Sequence, residues 1–140
     1  SPKQTLKELF SRIVLNICVG NTDDHARNHA AFWNGKMLTL TPAYDICPQT
    51  RSGGEAAQAM AIGRNGFRLS QLVGCVGAAE TYFLDESEAR DIIDHQLHVI
   101  RTQWIEVADN ANLTEAQRNG MWKRQVLNPF ATDGYSNRVL

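Results

Sequence analysis

Three features that would assign this chain to a particular class of protein are absent from its sequence: a basic stripe, a long apolar run and a paired-cysteine spacing. The 14 Lys and Arg residues are scattered and are balanced by 15 Asp and Glu residues, which argues against direct binding to nucleic acid. The apolar runs are far shorter than the roughly 20 residues of a membrane-spanning helix, and no signal peptide precedes them. We therefore expect a protein that binds neither nucleic acid nor a membrane.

Cysteine is scarce, with Cys18, Cys47 and Cys75 as its three occurrences. An odd number of cysteines without a C-x-x-C spacing does not fit a disulfide framework. We interpret the three side chains as reduced, mostly buried thiols, and we expect the protein in the cytoplasm.

The length and composition are those of one globular domain covering residues 1–140. Hydrophobic residues make up 43% of the 140 positions and charged residues 21%, which is ordinary for such a domain. The chain begins at Ser1 rather than Met, and a helical pattern starts almost at once. We therefore expect it to be a piece of a longer protein.

The opening segment has the pattern of a helix that faces a core. Thr5 and Glu8 have the spacing of a capping box, which would open this helix, and Gly20 is placed to end it in a left-handed turn. Apolar residues recur between these points at steps of three and four. This stripe consists of Leu6, Leu9, Phe10, Ile13, Val14 and Ile17.

A hairpin and a long loop follow. Asn34-Gly35 is a strong hairpin signal and predicts antiparallel strands at 29–33 and 36–40. Residues 47–68 contain small residues and no sustained period, which predicts a loop. A loop of that length in a compact domain is usually functional or mobile.

The helical pattern resumes after the loop. Asp85 with Glu88 and Thr114 with Gln117 have capping-box spacing, so we expect two further helices to open there. The tail from Phe130 is polar and is expected to fray. The predicted fold is mainly α with a small β-hairpin.

A polar segment, "VGNTDDHARNHAAF" at 19–32, separates the opening helix from the hairpin. Asn28 precedes the hairpin and Asp45 follows it, so we expect these side chains to be neighbours in space. Amide and carboxylate oxygens suit Mg²⁺, and the carboxylate of Asp23 would lie alongside. Phosphoryl transfer uses such a set, with an Asp and an Asn on the metal and a second Asp that orients the attacking hydroxyl.

The joined motifs resemble a known family. "NTDDHARNHAAF" followed by "LTPAYDI" is similar to the HipA family of bacterial serine/threonine kinases, whose motifs read T-D-x-H-x-[KR]-N and L-x-P-x-Y-D-[IL]. The resemblance implies the C-terminal lobe of the protein-kinase-like fold. The fixed motif positions are met by Thr22, Asp23, His25, Arg27, Asn28, Leu40, Pro42, Tyr44, Asp45 and Ile46.

The resemblance implies roles for the motif residues. Asp23 would be the catalytic base, and Asn28 and Asp45 would hold Mg²⁺ against the phosphates of ATP. His25, Arg27 and Tyr44 would contribute to the nucleotide site. Of these, Arg27 would supply positive charge near the γ-phosphate, and Tyr44 would pack near the nucleotide.

The neighbouring residues have simpler interpretations. Asp23 and Asp24 also suit a turn; Asp24 has no motif role, so we expect a surface or capping residue whose replacement by Ala is close to neutral. His25 and His29 have the spacing of a helical zinc pair, but the turn-forming Asn21 argues against a helix there. We expect a His hydrogen-bonded to the loop backbone instead.

The implied activity is transfer of the ATP γ-phosphate to a protein hydroxyl by a growth-arrest toxin. Its implied partners are a DNA-binding antitoxin and a protein substrate in the translation machinery. Nothing before the cluster resembles a Gly-rich phosphate loop, and Lys3 and Lys7 lie on the opening helix. We therefore expect the N-terminal lobe to be absent from this chain and the fragment alone to be inactive.

Two other functions fit the same residues. The first is a non-catalytic binding or regulatory module that lacks the N-terminal lobe. The second is a metal-dependent hydrolase that uses Asp23, His25 and Asp45, which would hold its metal tightly without a nucleotide.

Overall fold

The computed structural model describes residues 1–51 and 53–136. Helices dominate this part of the chain, and the prediction of a mainly α fold with a small hairpin is confirmed. None of these helices combines the length and the apolar character needed to cross a bilayer. The helices are α1 (Pro2–Cys18), α2 (Leu72–Gly77), α3 (Glu86–Asn110), α4 (Glu115–Met121) and α5 (Pro129–Thr132), with 3-10 turns at Ala26–Asn28 and Ala79–Tyr82 and strands β1 (Ala31–Trp33) and β2 (Leu38–Leu40).

Helix α1 begins four residues earlier than its predicted capping box. The Ser1 side chain accepts a hydrogen bond from the Gln4 amide at 3.3 Å, and proline follows at the first helical position, where its missing N–H costs nothing. Thr5 therefore lies inside the helix, and its hydroxyl donates to the Leu38 carbonyl oxygen at 2.9 Å. The assignment of Thr5 and Glu8 as the opening cap was wrong, and Thr5 instead joins α1 to strand β2.

The hydrophobic core lies around α1, which packs against α2, α3 and the 3-10 turn at Ala79–Tyr82. The predicted stripe of α1 faces this core, because four of its residues are buried and Leu6 and Leu9 pack at its edge. The rings of Phe10 and Tyr82 meet edge to face, with centroids 5.4 Å apart. The buried stripe residues of α1 are Phe10, Ile13, Val14 and Ile17.

Both predicted capping boxes in the second half of the chain are confirmed. The Asp85 carboxylate accepts from the Glu88 amide at 2.8 Å, and the Glu88 carboxylate accepts from the Asp85 amide at 3.0 Å. Thr114 and Gln117 make the same reciprocal pair, with distances of 2.9 and 3.1 Å. These contacts satisfy backbone N–H groups that the first turn of a helix leaves without an intrahelical partner.

The chain remains ordered into the segment that was expected to fray. The Asn128 side chain caps α5 by accepting from the Phe130 amide at 2.9 Å, and Ala131 is fully buried. The expectation of a frayed tail from Phe130 was therefore wrong as far as this helix reaches. The part of the predicted tail at 137–140 lies outside the described residues.

The hairpin forms where the Asn34-Gly35 signal predicted it, although its strands are shorter than 29–33 and 36–40. Its register pairs Ala31 with Leu40 and Trp33 with Leu38. Gly35 has φ of 92°, a conformation that glycine adopts without strain. The two ends of the hairpin therefore leave the sheet side by side.

The long loop at 47–68 is confirmed over its described residues, which contain no helix and no strand of the hairpin's length. An isolated bridge pairs Ala57 with Leu69 at its end. The Tyr82 hydroxyl, fixed in the core, donates to the Ile62 carbonyl oxygen. The loop is thus attached to the helical body and runs back toward the end of α1.

All three cysteines are free, as expected, and two of them are buried. Burial raises the pKa of Cys18 to about 12, and burial raises the pKa of Cys75 as well, with a smaller contribution from Cys18. Cys47 is exposed and lies two residues after Asp45. The expectation of mostly buried thiols holds for Cys18 and Cys75.

Candidate active site

The turn that ends α1 fixes where the polar segment begins. The Gly20 amide donates to the Ile17 carbonyl oxygen at 3.2 Å, and the Asn21 amide donates to the Asn16 carbonyl oxygen at 2.8 Å, which is the pattern of a Schellman cap. Gly20 has φ of 75°, and a β-carbon there would lie 2.6 Å from the Gln125 carbonyl oxygen. The left-handed backbone and the lack of room for a β-carbon therefore both require glycine at this position. The sequence predicted the left-handed turn.

The polar segment is held from the far side by the long loop. The Asn21 carbonyl oxygen accepts from the Gln58 side-chain amide at 3.1 Å, and Gln58 is itself buried. The Thr22 carbonyl oxygen accepts from the Ala59 amide at 3.0 Å. The loop that the sequence marked as functional or mobile thus supports the backbone directly before Asp23.

Asn28 and Asp45 converge, as the hairpin between them predicted. The Asn28 side-chain N–H donates to Oδ2 of Asp45 at 2.9 Å. The Asn28 amide oxygen accepts from the His25 backbone N–H at 3.2 Å, so both ends of this side chain are engaged. Because Asn28 is buried, these two bonds fix its orientation.

Asp45 has an unusual backbone conformation. Its φ is 57°, in the left-handed region that non-glycine residues seldom occupy and that clusters at functional sites. The Asn21 side-chain N–H lies 3.5 Å from the Asp45 carbonyl oxygen and donates to the Asn16 side-chain oxygen at 2.7 Å. Two buried amides therefore connect the last turn of α1 with Asp45.

Tyr44 joins the two motif loops. Its hydroxyl donates to the Arg27 carbonyl oxygen at 2.8 Å, across the mouth of the hairpin. The side chain is 43% exposed, so its ring also presents a face to solvent beside Asp45. Tyr44 thus holds the loop of Asn28 in register with the loop of Asp45.

The remaining predicted site residues lie at the surface of the same segment. Asp23 and Arg27 are exposed, and His25 is half-buried. The Nδ1 atom of His25 is buried, and none of the described residues gives it a hydrogen bond. A carboxylate and a guanidinium are therefore accessible to a ligand that approaches the Asn28–Asp45 contact.

His25 and His29, whose spacing would suit a zinc pair only on a helix, do not face a common site. His29 lies beyond the 3-10 turn at Ala26–Asn28, and its Nε2 contacts Asp24 rather than a site shared with His25. Among the described residues, no three His, Cys, Asp or Glu side chains are grouped so that they could hold a metal ion. Asp23, His25 and Asp45, the set expected for a hydrolase, are thus not assembled as ligands of one ion.

Asp24 is the residue that the sequence interpretation placed wrongly. It was expected to be a surface or capping residue, but it is only 2% exposed, and its Oδ1 contacts a side chain, lying 2.6 Å from Nε2 of His29. Asp24 directly follows Asp23, and His29 directly follows Asn28, so this pair spans the same turn as Asp23 and Asn28. No periodicity in the sequence marks this contact, because the direction in which a loop side chain points depends on the body beneath it.

The donors at the Asn28–Asp45 contact suit a hard divalent cation. Mg²⁺ takes oxygen ligands, uses one or two protein carboxylates and completes its shell with water and substrate phosphates. Asp45 offers a carboxylate, and Asn28 offers its amide oxygen, which accepts one hydrogen bond from His25 and keeps a second lone pair, while the amide nitrogen holds the side chain beside Asp45 at 2.9 Å. This pair fits a Mg²⁺–nucleotide complex better than a metal held by protein alone.

Comparison with known proteins agrees with the motifs. The family model of the HipA-like C-terminal domain matches residues 1–104, which include α1, the polar segment, the hairpin, the long loop and most of α3. No curated protein and no solved structure gives a significant match. Since the matched residues cover about three-quarters of the chain, the chain belongs to the HipA-like C-terminal domain family.

Proposed function

We propose that this chain is the C-terminal lobe of a serine/threonine protein kinase that transfers the γ-phosphate of ATP to a protein hydroxyl. The observation that carries the proposal is the contact of Asn28 with Asp45 at 2.9 Å, with the exposed carboxylate of Asp23 on the same loop. Kinase chemistry needs these parts, because its catalysis consists mainly of positioning and of charge stabilisation.

In this proposal Asn28 and Asp45 hold Mg²⁺, which when bound neutralises charge on the nucleotide phosphates. Asp23 accepts the proton of the substrate hydroxyl and aligns its oxygen for attack. Arg27 is exposed beside this loop and offers a guanidinium to phosphate oxygens. The backbone N–H of His25 donates to the amide oxygen of Asn28 and orients this side chain, while the second lone pair of the oxygen is left for Mg²⁺.

The proposal includes a separate N-terminal lobe that binds the nucleotide from the other side. The 20 residues before Asn21 contain no Gly-rich loop, so the nucleotide phosphates need another segment to cover them. The hairpin that follows Asn28 also exposes large apolar side chains: Phe32 and Trp33 are each 64% exposed, and Leu38 is 53% exposed. Apolar surface of this kind supports coverage by another body.

The biological setting is proposed from family membership. We infer a bacterial growth-arrest toxin of the cytoplasm, where ATP is available, that a DNA-binding antitoxin neutralises and that phosphorylates a protein of the translation machinery. Expression of the reading frame that contains this chain would then arrest bacterial growth. The same reading frame with Asp23→Ala would leave growth unaffected.

Phosphate transfer is the direct test, with two proteins assayed side by side. The first is this chain, and the second is the product of the whole reading frame that contains Ser1. With radiolabelled ATP and Mg²⁺ we expect the second protein to label itself or an added protein. We expect this chain alone to bind ATP·Mg²⁺ weakly in calorimetric titration and to transfer nothing, because a clamp of one carboxylate and one amide holds Mg²⁺ poorly without a second lobe.

Two results would contradict the proposal in different ways. Tight ATP binding and transfer by this chain alone would show that no second lobe is needed. A product of the whole reading frame that folds, binds ATP and transfers no phosphate to any tested protein would favour a non-catalytic module. Asp133→Ala is the matched control for Asp23→Ala, since Asp133 is an exposed aspartate near the C-terminal end of the described residues.

A further inference from the structure

The contact of Asp24 with His29 is not used by the proposed mechanism. Asp24 immediately follows Asp23, and His29 immediately follows Asn28. The contact at 2.6 Å therefore closes the segment that holds the proposed base and the proposed metal ligand. Asp24 occupies the first variable position of the motif T-D-x-H-x-[KR]-N, and His29 follows the last motif residue. Neither member of the contact is therefore a fixed position of the motif.

We propose that Asp24 and His29 are positioning residues that fix the distance between Asp23 and Asn28, an inference that rests on the proposed function. The pair acts as a latch across the 3-10 turn at Ala26–Asn28. Neither side chain touches the substrate or the metal in this proposal. Their effect reaches the site through the backbone of their neighbours.

Burial gives the latch its strength. The side chain of Asp24 is 3% exposed and that of His29 is 13% exposed, so water competes little for the bond between them. A buried carboxylate is costly unless it is hydrogen-bonded, and His29 is the partner that Asp24 has here. Arg12 lines the same small polar cavity, but its guanidinium contacts Glu8.

The latch also bears on the orientation of Asn28. Asn28 depends on the bond from its side chain to Asp45 and on the bond that its amide oxygen accepts from His25. Both bonds require the 3-10 turn to keep its shape. If His29 is released, the C-terminal end of this turn loses one attachment and keeps the one from Tyr44 to the Arg27 carbonyl oxygen, so the amide of Asn28 is held less firmly.

The test uses this chain, labelled with ¹⁵N, and needs no kinase activity. The side-chain amide signals of Asn28, assigned by their loss in Asn28→Asp, report the geometry at Asp45. The affinity for Mn²⁺, measured from the electron paramagnetic resonance of the free ion, reports the metal site. The variants are Asp24→Ala, His29→Ala and the conservative Asp24→Asn, which keeps an oxygen that His29 can contact.

We expect Asp24→Ala and His29→Ala to shift or broaden the Asn28 amide signals and to weaken Mn²⁺ binding, by less than the factor of about 10 to 100 that follows loss of a group bonded directly to a metal ligand. Asp24→Asn should keep the Asn28 amide signals and the Mn²⁺ affinity closer to those of the unsubstituted chain. Asp133→Ala and His95→Ala are the matched controls, because both residues are exposed and distant in sequence from the latch. They should leave both readouts at the values of the unsubstituted chain.

The outcomes separate this inference from the proposed function. Folded Asp24→Ala and His29→Ala variants with unchanged Asn28 signals would overturn the latch. Mn²⁺ binding, weak as it is expected to be in this chain, that is unchanged in Asp45→Ala would count against the proposed metal site, while the Asn28 signals would still judge the latch. Should both alanine variants fail to fold, His29→Phe keeps an aromatic ring of somewhat larger size and removes the nitrogen that contacts Asp24. Unfolding of that variant too would reduce the pair to a structural contact and refute the positioning role.

Discussion

The side-chain amide of Asn28 donates to the carboxylate of Asp45 at 2.9 Å across a separation of 17 residues. The intervening hairpin accounts for this contact, because its paired strands return the chain to its starting point. The left-handed backbone of Asp45, with φ of 57°, lies at the same place. Strained backbone of this kind clusters at functional sites, and here it coincides with a partly buried polar contact.

Loss of either member of this contact should abolish phosphate transfer by the product of the whole reading frame. We expect Asn28→Ala and Asp45→Ala each to remove several kcal/mol of metal-assisted charge stabilisation, which corresponds to a loss of about 100-fold or more in kcat. The double variant should be little worse than either single variant, since residues that act as a unit are not additive. Initial rates at varied Mg²⁺ are the measurement, with exposed Asn110→Ala as the control. Additive losses would show that the two residues do not share one ion.

Asp23→Ala should separate catalysis from binding. A base that acts mainly in the transition state lowers kcat, by about 10²- to 10⁴-fold, and leaves ground-state affinity for ATP largely intact. Initial rates and calorimetric ATP titration on the product of the whole reading frame measure the two effects. A variant that loses ATP affinity but keeps kcat would assign Asp23 to nucleotide binding instead.

The parts of the site that follow from local rules could be predicted from the sequence. Asn34-Gly35 sets the hairpin, and the hairpin brings Asn28 to Asp45 whatever the rest of the chain does. The capping boxes at Asp85 and Thr114 need only residues within one helical turn. Short-range patterns of this kind predict the local structure of a folded protein because few other contacts compete with them.

The features that the sequence missed depend on competition or on tertiary packing. Ser1 and Thr5 offer alternative starts to the same helix, and proline after Ser1 favours the earlier one. Asp24 points inward because the body of the domain offers His29 and a polar cavity. Its replacement by Ala, expected from the sequence to be nearly neutral, should now destabilise the fold, since it leaves His29 without this contact.

Gly20→Ala should destabilise the chain far more than Gly35→Ala. Both glycines have positive φ, so each alanine costs about 1 kcal/mol of backbone strain. At Gly20 the new β-carbon would also lie 2.6 Å from the Gln125 carbonyl oxygen, whereas at Gly35 no described residue beyond the two chain neighbours would lie within 4 Å of it. We expect a loss of about 3 kcal/mol in the free energy of unfolding at Gly20, measured by urea denaturation. Equal losses at the two positions would show that the Gln125 segment moves away without cost.

The stability of the fold should fall as the pH rises above about 9, because of two buried thiols. Burial raises the pKa of Cys18 from 9.0 to about 12, and burial raises the pKa of Cys75 from the same ordinary value. Above pH 9 the unfolded chain therefore releases thiol protons that the folded chain retains. The unfolded state then binds fewer protons, so the free energy of unfolding decreases with pH.

Urea denaturation under reducing conditions, from about pH 7 to about pH 11, measures this effect. Each thiol should contribute a slope of about 1.4 kcal/mol per pH unit between its unfolded and folded pKa values. Tyr82, whose pKa burial raises to about 12, adds to the slope only at the upper end of the range. Cys47→Ala is the matched control, because the exposed Cys47 should leave the slope unchanged. Cys18→Ala and Cys75→Ala should each remove the contribution of one thiol, and a slope between about pH 9 and about pH 10, below the range of the tyrosines, that survives both substitutions would assign this loss to other groups.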